Sequence, residues 1–341
     1  MSHSIIVAMT VRPSHALESA ASAALAPLRV EYSSASATVA LAQSGTLAVI
    51  GFGNMPQALD DPRLLRVRLH SEAPAPLEIW RTSGRVAHDR DGELAWSSDG
   101  DYAFVALNVD EAAHGGINGA AQRAYAILAR WSRASATPHF LRIWNYLDAI
   151  NEGSGDAERY RQFCAGRAAG MNGMFGSSYP AATAIGLRDG QRVLQVYALA
   201  ARLPGCAVEN PRQVNAWRYP RQYGPAAPGF ARAMRAPTAP PQLYISGTAA
   251  IVGHASHHPG DLTAQLDETL ANVHSLLDAA GSHASLDAQS PLKVYVRHAP
   301  DMPVVRDLLR ARLGDAVPLL LLEGDICRRE LLLEIEGIHA G

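Results

Sequence analysis

Near its C-terminal end the chain reads Asp325-Ile-Cys-Arg-Arg-Glu-Leu-Leu-Leu-Glu-Ile-Glu-Gly, which sets two carboxylates and a thiol where a strand is otherwise apolar. Strand side chains alternate faces with period two. Glu334 and Glu336 therefore share one face of a strand over residues 331–338, and Leu333 and Ile335 share the other. A carboxylate buried without a partner is costly, and it responds by raising its pKa and keeping its proton. A carboxylic acid still protonated near neutral pH can act as a general acid. The same spacing also fits two acids on a solvated sheet face, and the strand alone does not choose between these readings.

The elements around it are an alternation of strands and helices. Residues 242–253 read as a strand pair broken by a turn or bulge at Gly247. An amphipathic helix follows over 261–280, with Leu262, Leu266, Leu270, Val273, Leu276 and Leu277 on one stripe and Gly281 as its stop. A strand at 292–297, a helix at 302–313 and strands at 317–322 and 331–338 complete a β-β-α-β-α-β-β unit, an α+β arrangement of a mixed sheet with helices on one side.

The first half repeats the order. Strands are expected at 84–88 and 102–109, helices at 112–134 and 156–169, and strands at 138–144, 181–187 and 193–200. Laying the last of these over 332–338 puts Gln195 opposite Glu334 and Tyr197 opposite Glu336. The chain thus reads as a duplication in which only the second copy has acids on its final strand. Residues 1–80 read as extra strands and loops without legible chemistry. The expected division is 1–208 as an N-terminal unit, 209–236 as an ordered loop and 237–341 as the C-terminal, catalytic unit. The loop is rich in Pro, Gly, Arg and aromatic residues, which speaks against regular structure and against a flexible linker alike. Its Arg212, Arg218 and Arg221 read either as carboxylate-binding forks or as partners of surface acids.

At 341 residues, with 48% hydrophobic and 18% charged residues and a formal net charge of -2, the chain has ample core and no bulk charge to hold nucleic acid or an anionic membrane. No run approaches a bilayer-spanning length, and the N-terminus lacks the pattern of a signal peptide. Three scattered cysteines suit neither a disulfide framework nor a zinc site and fit a reducing, cytoplasmic setting. His254, His257 and His258 crowd a turn without the spacing of a zinc site. Neither a nucleotide fingerprint nor a nucleophile elbow is present.

Four stretches together resemble the chorismatase family, over about two thirds of the chain from residue 144 onward. They are Asn145-Tyr-Leu-Asp-Ala-Ile-Asn with Glu158-Arg-Tyr-Arg-Gln-Phe-Cys-Ala-Gly-Arg, the loop over 211–233, Ser246-Gly-Thr-Ala-Ala-Ile-Val-Gly-His, and the Asp325 motif. The C-terminal half separately resembles the RidA (YjgF) fold, shared with trimeric chorismate mutase. The two resemblances imply two RidA-like units. RidA deaminases bind a carboxylate with an arginine before the last strands; the matching Val317-Pro-Leu-Leu-Leu-Leu has none, which argues against an imine deaminase.

The chorismatase resemblance implies that Glu334 is the catalytic acid, protonating the enol-ether methylene of chorismate so that the side chain leaves as pyruvate. In the family, alanine at the position of Cys327 accompanies hydrolysis to a dihydroxycyclohexadiene acid. Cysteine accompanies internal displacement, through an arene oxide, to 3-hydroxybenzoate with 4-hydroxybenzoate as a further product. Cys327 therefore implies the hydroxybenzoate-forming type, although a free cysteine is commonly just a small buried hydrophobe. A dianionic substrate calls for at least two cations. The expected binding residues are Arg161, Arg221 and Arg297, with Tyr219 and Tyr223 for hydroxyls and ring faces, and Gly247 and Ala249 for close approach of backbone to the ring. Arg159 and Arg167 read as solvated or structural. The reaction requires neither cofactor nor metal, and the only expected partner is the small-molecule substrate, with the chain either monomeric and pseudo-oligomeric by duplication or a homotrimer. The hydrolytic enzyme and a non-catalytic metabolite-binding protein are the rival readings.

Overall fold

The computed structural model describes residues 24–340 apart from 56–58, 75, 177 and 283. Among the described residues it contains four sheets: a two-stranded ribbon, β14 (Ile251–Val252) with β15 (Ala255–Ser256), and three larger sheets in which one strand order is repeated. The C-terminal unit runs β13 (Gln242–Thr248), α4 (Leu262–Ala279), β16 (Leu292–Val296), α5 (Met302–Leu313), β17 (Leu319–Glu323) and β18 (Leu333–Ala340). In space the strands lie first-last-second-third, β13-β18-β16-β17, with only the last pair parallel. The middle unit, β7 (Tyr102–Asp110), α2 (Ile117–Ala134), β8 (His139–Asp148), α3 (Arg159–Met171), β9 (Ala181–Leu187) and β10 (Val193–Ala201), is ordered β7-β10-β8-β9 with the same directions. A hairpin, β5 (Ala87–Asp91) and β6 (Leu94–Ser98), extends its edge, as β11 (Cys206–Val208) and β12 (Ala233–Arg235) extend the C-terminal sheet.

The α+β arrangement with helices on one side of mixed sheets is as expected. The expectation for residues 1–80 needs correction. β1 (Arg29–Ser33), α1 (Ala37–Ala42), β2 (Thr46–Phe52), β3 (Leu64–Val67) and β4 (Leu77–Arg81) form a third sheet in the same order, β1-β4-β2-β3, with β2 and β3 parallel. The chain carries the order three times, the first copy reduced. Its six-residue helix and four- or five-residue edge strands give too short a periodic signal to read.

The packing follows from the two faces of each sheet. The helices cover the outer faces: α4 and α5 bury Leu266, Val273, Leu276, Val305 and Leu309 against Val294 and Ile335. The α2–α3 contact depends on glycine, because a Cβ at Gly166 would lie 2.0 Å from the Asn118 carbonyl oxygen. The inner faces meet in one aromatic core, where Trp80 of β4, Trp144 of β8 and Tyr244 of β13 pack within 5.6 and 6.1 Å of one another through Trp80.

A buried charge cluster ties the three units at this centre. Lys293 Nζ lies 2.6 Å from Glu78 and 3.0 Å from Glu336. Arg142 pairs with Glu336, which also accepts hydrogen bonds from Thr183, from Trp144 Nε1 at 2.9 Å and from the Tyr295 hydroxyl at 2.9 Å. Two cations face two carboxylates, so the group is formally neutral, the condition under which buried ions are tolerated. Each unit supplies at least one charge.

Candidate active site

A cleft of about 350 Å³ opens between the middle and C-terminal units. One wall is β9, Asn145 of β8 and α3 with the segment before it; the other is the bulge in β13, the start of β18 and the β17–β18 loop; the segment around Tyr219 to Phe230 roofs it. The Gly247 bulge is explained at this wall. β13 slips register against β18 between Ile245 and Thr248, and a Cβ on Gly247 would lie 1.9 Å from Glu334 Oε1. Gly247 therefore makes room for the Glu334 carboxyl, and it also lines the cleft, where the expected close approach of backbone to the ring would take place.

Glu334 lines the cleft and is only 5% exposed. Burial, followed by the charge of Glu336, pushes its carboxyl up to about 8, against the opposing pull of Arg142, Arg232 and Arg297. Glu336 lies outside the cleft. Burial alone would raise its carboxyl too, but Lys293, Arg142 and the Thr183 hydrogen bond hold it below the usual carboxylate range. The strand thus holds one protonated acid facing the cleft and one anion facing the core.

The expected cations separate into two groups. Arg161 lines the cleft, held by Glu158 at 3.2 Å. Arg221 does not line it: its side chain is largely exposed and pairs with Asp156 at 2.8 Å, which fastens the roof to the rim. Arg297 does not line it either, because its donors are already committed. Nε donates to the Leu331 carbonyl at 2.7 Å, one terminal nitrogen reaches Asp325 at 2.7 Å and Asn151 at 3.1 Å, and the other donates to the Ile326 and Arg328 carbonyls. Arg297 is a clamp on the loop carrying Cys327. Of the other arginines weighed in the 209–236 loop, Arg212 binds Glu268 and Asn272, and Arg218 stacks on Trp217.

Cys327, Tyr219, Tyr223 and Ala249 all line the cleft. The Cys327 thiol is pushed up to about 12 by burial and by the charge of Glu334, so it is a neutral SH group. Tyr223 donates its hydroxyl to the His254 carbonyl at 2.7 Å and packs against Tyr219. Among the described residues no cluster of His, Cys, Asp and Glu could hold a metal, and no helix is long and apolar enough to cross a membrane.

Comparison with known proteins decides the family. The family model described as "Chorismatase FkbO/Hyg5-like, N-terminal" matches residues 78–200. A 3-hydroxybenzoate synthase of Streptomyces hygroscopicus is 33% identical over 85% of this chain and 91% of its own. A chorismatase of Streptomyces rapamycinicus is 36% identical over 77% of this chain and 82% of its own. A crystal structure of a chorismatase superposes with a TM-score of 0.81 at 31% identity, covering 94% of this chain and 100% of that one. The chain belongs to the chorismatase family. The Escherichia coli YjgF gene product aligns with 40% of this chorismatase and 98% of its own chain, at 17% identity and a TM-score of 0.30.

Four cleft arginines of this chorismatase lie outside the set expected from the sequence: Arg167, Arg232, Arg328 and Arg329, the last donating to the Gly153 carbonyl at 2.6 Å. Arg232 is 4% exposed, donates to the Tyr219 hydroxyl at 2.7 Å and leaves its buried Nε without a partner. Arg328 stacks on Tyr223 at 4.1 Å. Arg167, expected to be solvated or structural, is buried in the cleft wall and donates to the Gly229 carbonyl at 2.8 Å. Arg232 ends the arginine-bearing loop and Arg328 follows Cys327, so both positions were in view. Which guanidinium faces inward depends on loop geometry that spacing does not encode.

Proposed function

We propose that this chorismatase converts chorismate to 3-hydroxybenzoate, with 4-hydroxybenzoate as a further product, and pyruvate. The observation that carries the reading is the buried Glu334 carboxyl, which faces a roofed cleft walled by arginines and holds its proton to about pH 8. Glu334 gives its proton to the terminal methylene of the enolpyruvyl group, leaving an oxocarbenium carbon on the ether oxygen. The ring C4 hydroxyl attacks C3 of the same ring and the C3–O bond breaks. Its electron pair stays on the departing oxygen, which becomes the ketone of pyruvate, and the hydroxyl proton returns to Glu334. The arene oxide then opens and loses a ring proton to restore aromaticity. No water is consumed, so exclusion of solvent by the Tyr219–Phe230 roof favours this course over hydrolysis.

Arg161, Arg232 and Arg328 supply charge for the two substrate carboxylates, and Cys327 borders the ring. In this reading residues 237–341 provide the acid, 209–236 the roof, and 1–208 the facing wall. The chain acts as a monomer, because its own three sheets already close the core that three subunits would otherwise build. Sedimentation should then give a single 36.4 kDa species.

The test is incubation with chorismate in D2O, followed by chromatography with mass detection. The reading requires a hydroxybenzoate together with pyruvate carrying one methyl deuterium. A dihydroxycyclohexadiene acid with the same pyruvate would assign the hydrolytic reaction instead. Chorismate recovered unchanged would make the protein a binder.

A further inference from the structure

The threefold strand order has a consequence beyond the reacting cleft. That cleft lies where the third strand of one unit, β9, faces the last strand of the next, β18, and the loop before it. The same junction exists one unit earlier. There β3 faces β10 and the β9–β10 loop, and a cleft of about 930 Å³ opens between them, lined by Arg66, Arg68, Asn108, Asp189, Gln195 and Tyr197.

The register supports the correspondence residue by residue. Glu334 pairs with Tyr295 across β18 and β16, and Gln195 pairs with Tyr146 across β10 and β8. The two tyrosine hydroxyls meet at 2.8 Å. Gln195 thus stands in the second cleft where Glu334 stands in the first, and a carboxamide cannot protonate carbon.

Of the three arginines lining the second cleft, Arg90 is paired with Asp60 at 2.6 Å, and Arg66 and Arg68 are only partly committed. A terminal nitrogen of Arg66 donates to the Leu59 carbonyl at 2.5 Å, while its buried Nε has no hydrogen-bond partner among the described residues. Arg68 is held only by Asp189 at 3.8 Å and is 45% exposed. The Gln195 amide nitrogen donates to the Arg66 carbonyl at 3.0 Å and to Asn108 Oδ1 at 3.1 Å, which leaves the Gln195 oxygen and the Asn108 amide nitrogen to meet a ligand. The third junction differs: in its cleft, about 330 Å³, Arg306 is paired with Glu72 at 3.1 Å and with Asp307, and Arg310 stands beside the carboxylate of Asp315 at 3.8 Å, so no guanidinium there has a buried, unpartnered nitrogen among the described residues.

We propose that the cleft between the first and middle units binds a cyclic carboxylate of substrate or product size without turning it over. Arg66 and Arg68 hold the carboxylate, Asn108 and Gln195 meet ring hydroxyls, and Tyr197 lies under the ring. A free guanidinium Nε beside a second arginine suits a planar carboxylate, which accepts paired N–H donors. This assignment rests on the repeat geometry and not on the reaction in the first cleft.

The test is calorimetric titration of the full chain with 3-hydroxybenzoate and with cyclohexane-1,3-dicarboxylate, alongside chorismate turnover as a separate readout. Two sites are expected in the wild type for at least one probe. Arg68→Glu, at an exposed position that tolerates change, should weaken the second site at least tenfold. Arg66→Met with Arg68→Met should remove it, and kcat/KM should stay unchanged in both variants. A single site in the wild type for both probes would overturn the proposal. So would a second site that survives Arg68→Glu unaltered, or one that disappears together with turnover.

Discussion

Glu334 and Glu336 are two residues apart on one face of one strand, equally buried, and their carboxyls are driven in opposite directions. Sequence position and burial are the same, so neither accounts for the difference. Partners do. Glu336 meets a lysine, an arginine and three neutral donors, whereas Glu334 points at a cleft with no cation in contact and has Glu336 as a like-charged neighbour. Burial raises a carboxyl by default, and only paid-up pairing reverses it. The core acid therefore also sustains the proton on the cleft acid.

The sharpest way to break the comparison is to neutralise each acid in turn. Glu334→Gln should fold normally and lose roughly 10²–10⁴-fold in turnover, the range for a general acid. Retained pyruvate release would remove Glu334 from the acid role. Glu336→Gln should lose about 3–5 kcal/mol of stability in denaturant melts, because Lys293 and Arg142 are left buried without their counter-ion. A melt within 1 kcal/mol of wild type would show that the charge cluster is not what joins the units.

The pH response sharpens it further. The folded-state pKa of Glu334 is raised, so the folded chain binds the extra proton between the ordinary value of 4.5 and about 8, and stability falls as pH rises through that window. For Glu336 the folded value is lowered, so its contribution is present above the ordinary carboxylate range and is lost as pH falls. Glu334→Gln removes only the first slope. Its melting temperature should gain on wild type from pH 5 to 8 and then level off. Wild-type kcat/KM should fall tenfold per unit above about pH 8; a flat profile to pH 10 would exclude a carboxyl as the proton donor.

How much of this was legible before the structure depends on the length of the signal. The two acids on one face, the 302–313 helix and the Gly247 bulge were readable because alternation, capping residues and glycine act locally. The first unit was not, since its helix has six residues and its contribution to the centre is one acid, Glu78, whose partner Lys293 is more than 200 positions away. Arg297 was misassigned for a related reason. Strand alternation cannot show that the β17–β18 loop, some thirty residues later, presents the Leu331, Ile326 and Arg328 carbonyls to it. Arg232 was missed because its inward turn is set by Tyr219 and the Val214 carbonyl across the loop.

Gly247→Ala tests whether the placement of Glu334 matters as much as its proton. The added methyl would meet Oε1 at 1.9 Å and the Thr183 hydroxyl at 3.1 Å, so the carboxyl must swing away, while the Lys293 and Arg142 ion pairs of Glu336 are not in its path. Turnover should fall at least tenfold with stability changed by less than 1–2 kcal/mol, well short of Glu336→Gln. Equal turnover would show that the carboxyl can reach the substrate from a second rotamer.

Cys327→Ala should have the smallest effect on rate and a specific effect on product. A thiol pushed to about 12 is neutral throughout the working range, so it contributes neither a base nor a nucleophile, and losing it should change kcat by no more than a few-fold. What it contributes is volume and a weak S–H dipole on the cleft wall, in the loop clamped by Arg297. Replacing it with a methyl group opens space for a water molecule, and the product should shift toward the dihydroxy acid. Glu334 would be untouched, so the fall in kcat/KM above about pH 8 should persist in the variant, displaced slightly at most. An unchanged product ratio would reduce Cys327 to packing. A limb displaced by a full unit or more would mean that the thiol, and not only Glu336, governs the proton on Glu334.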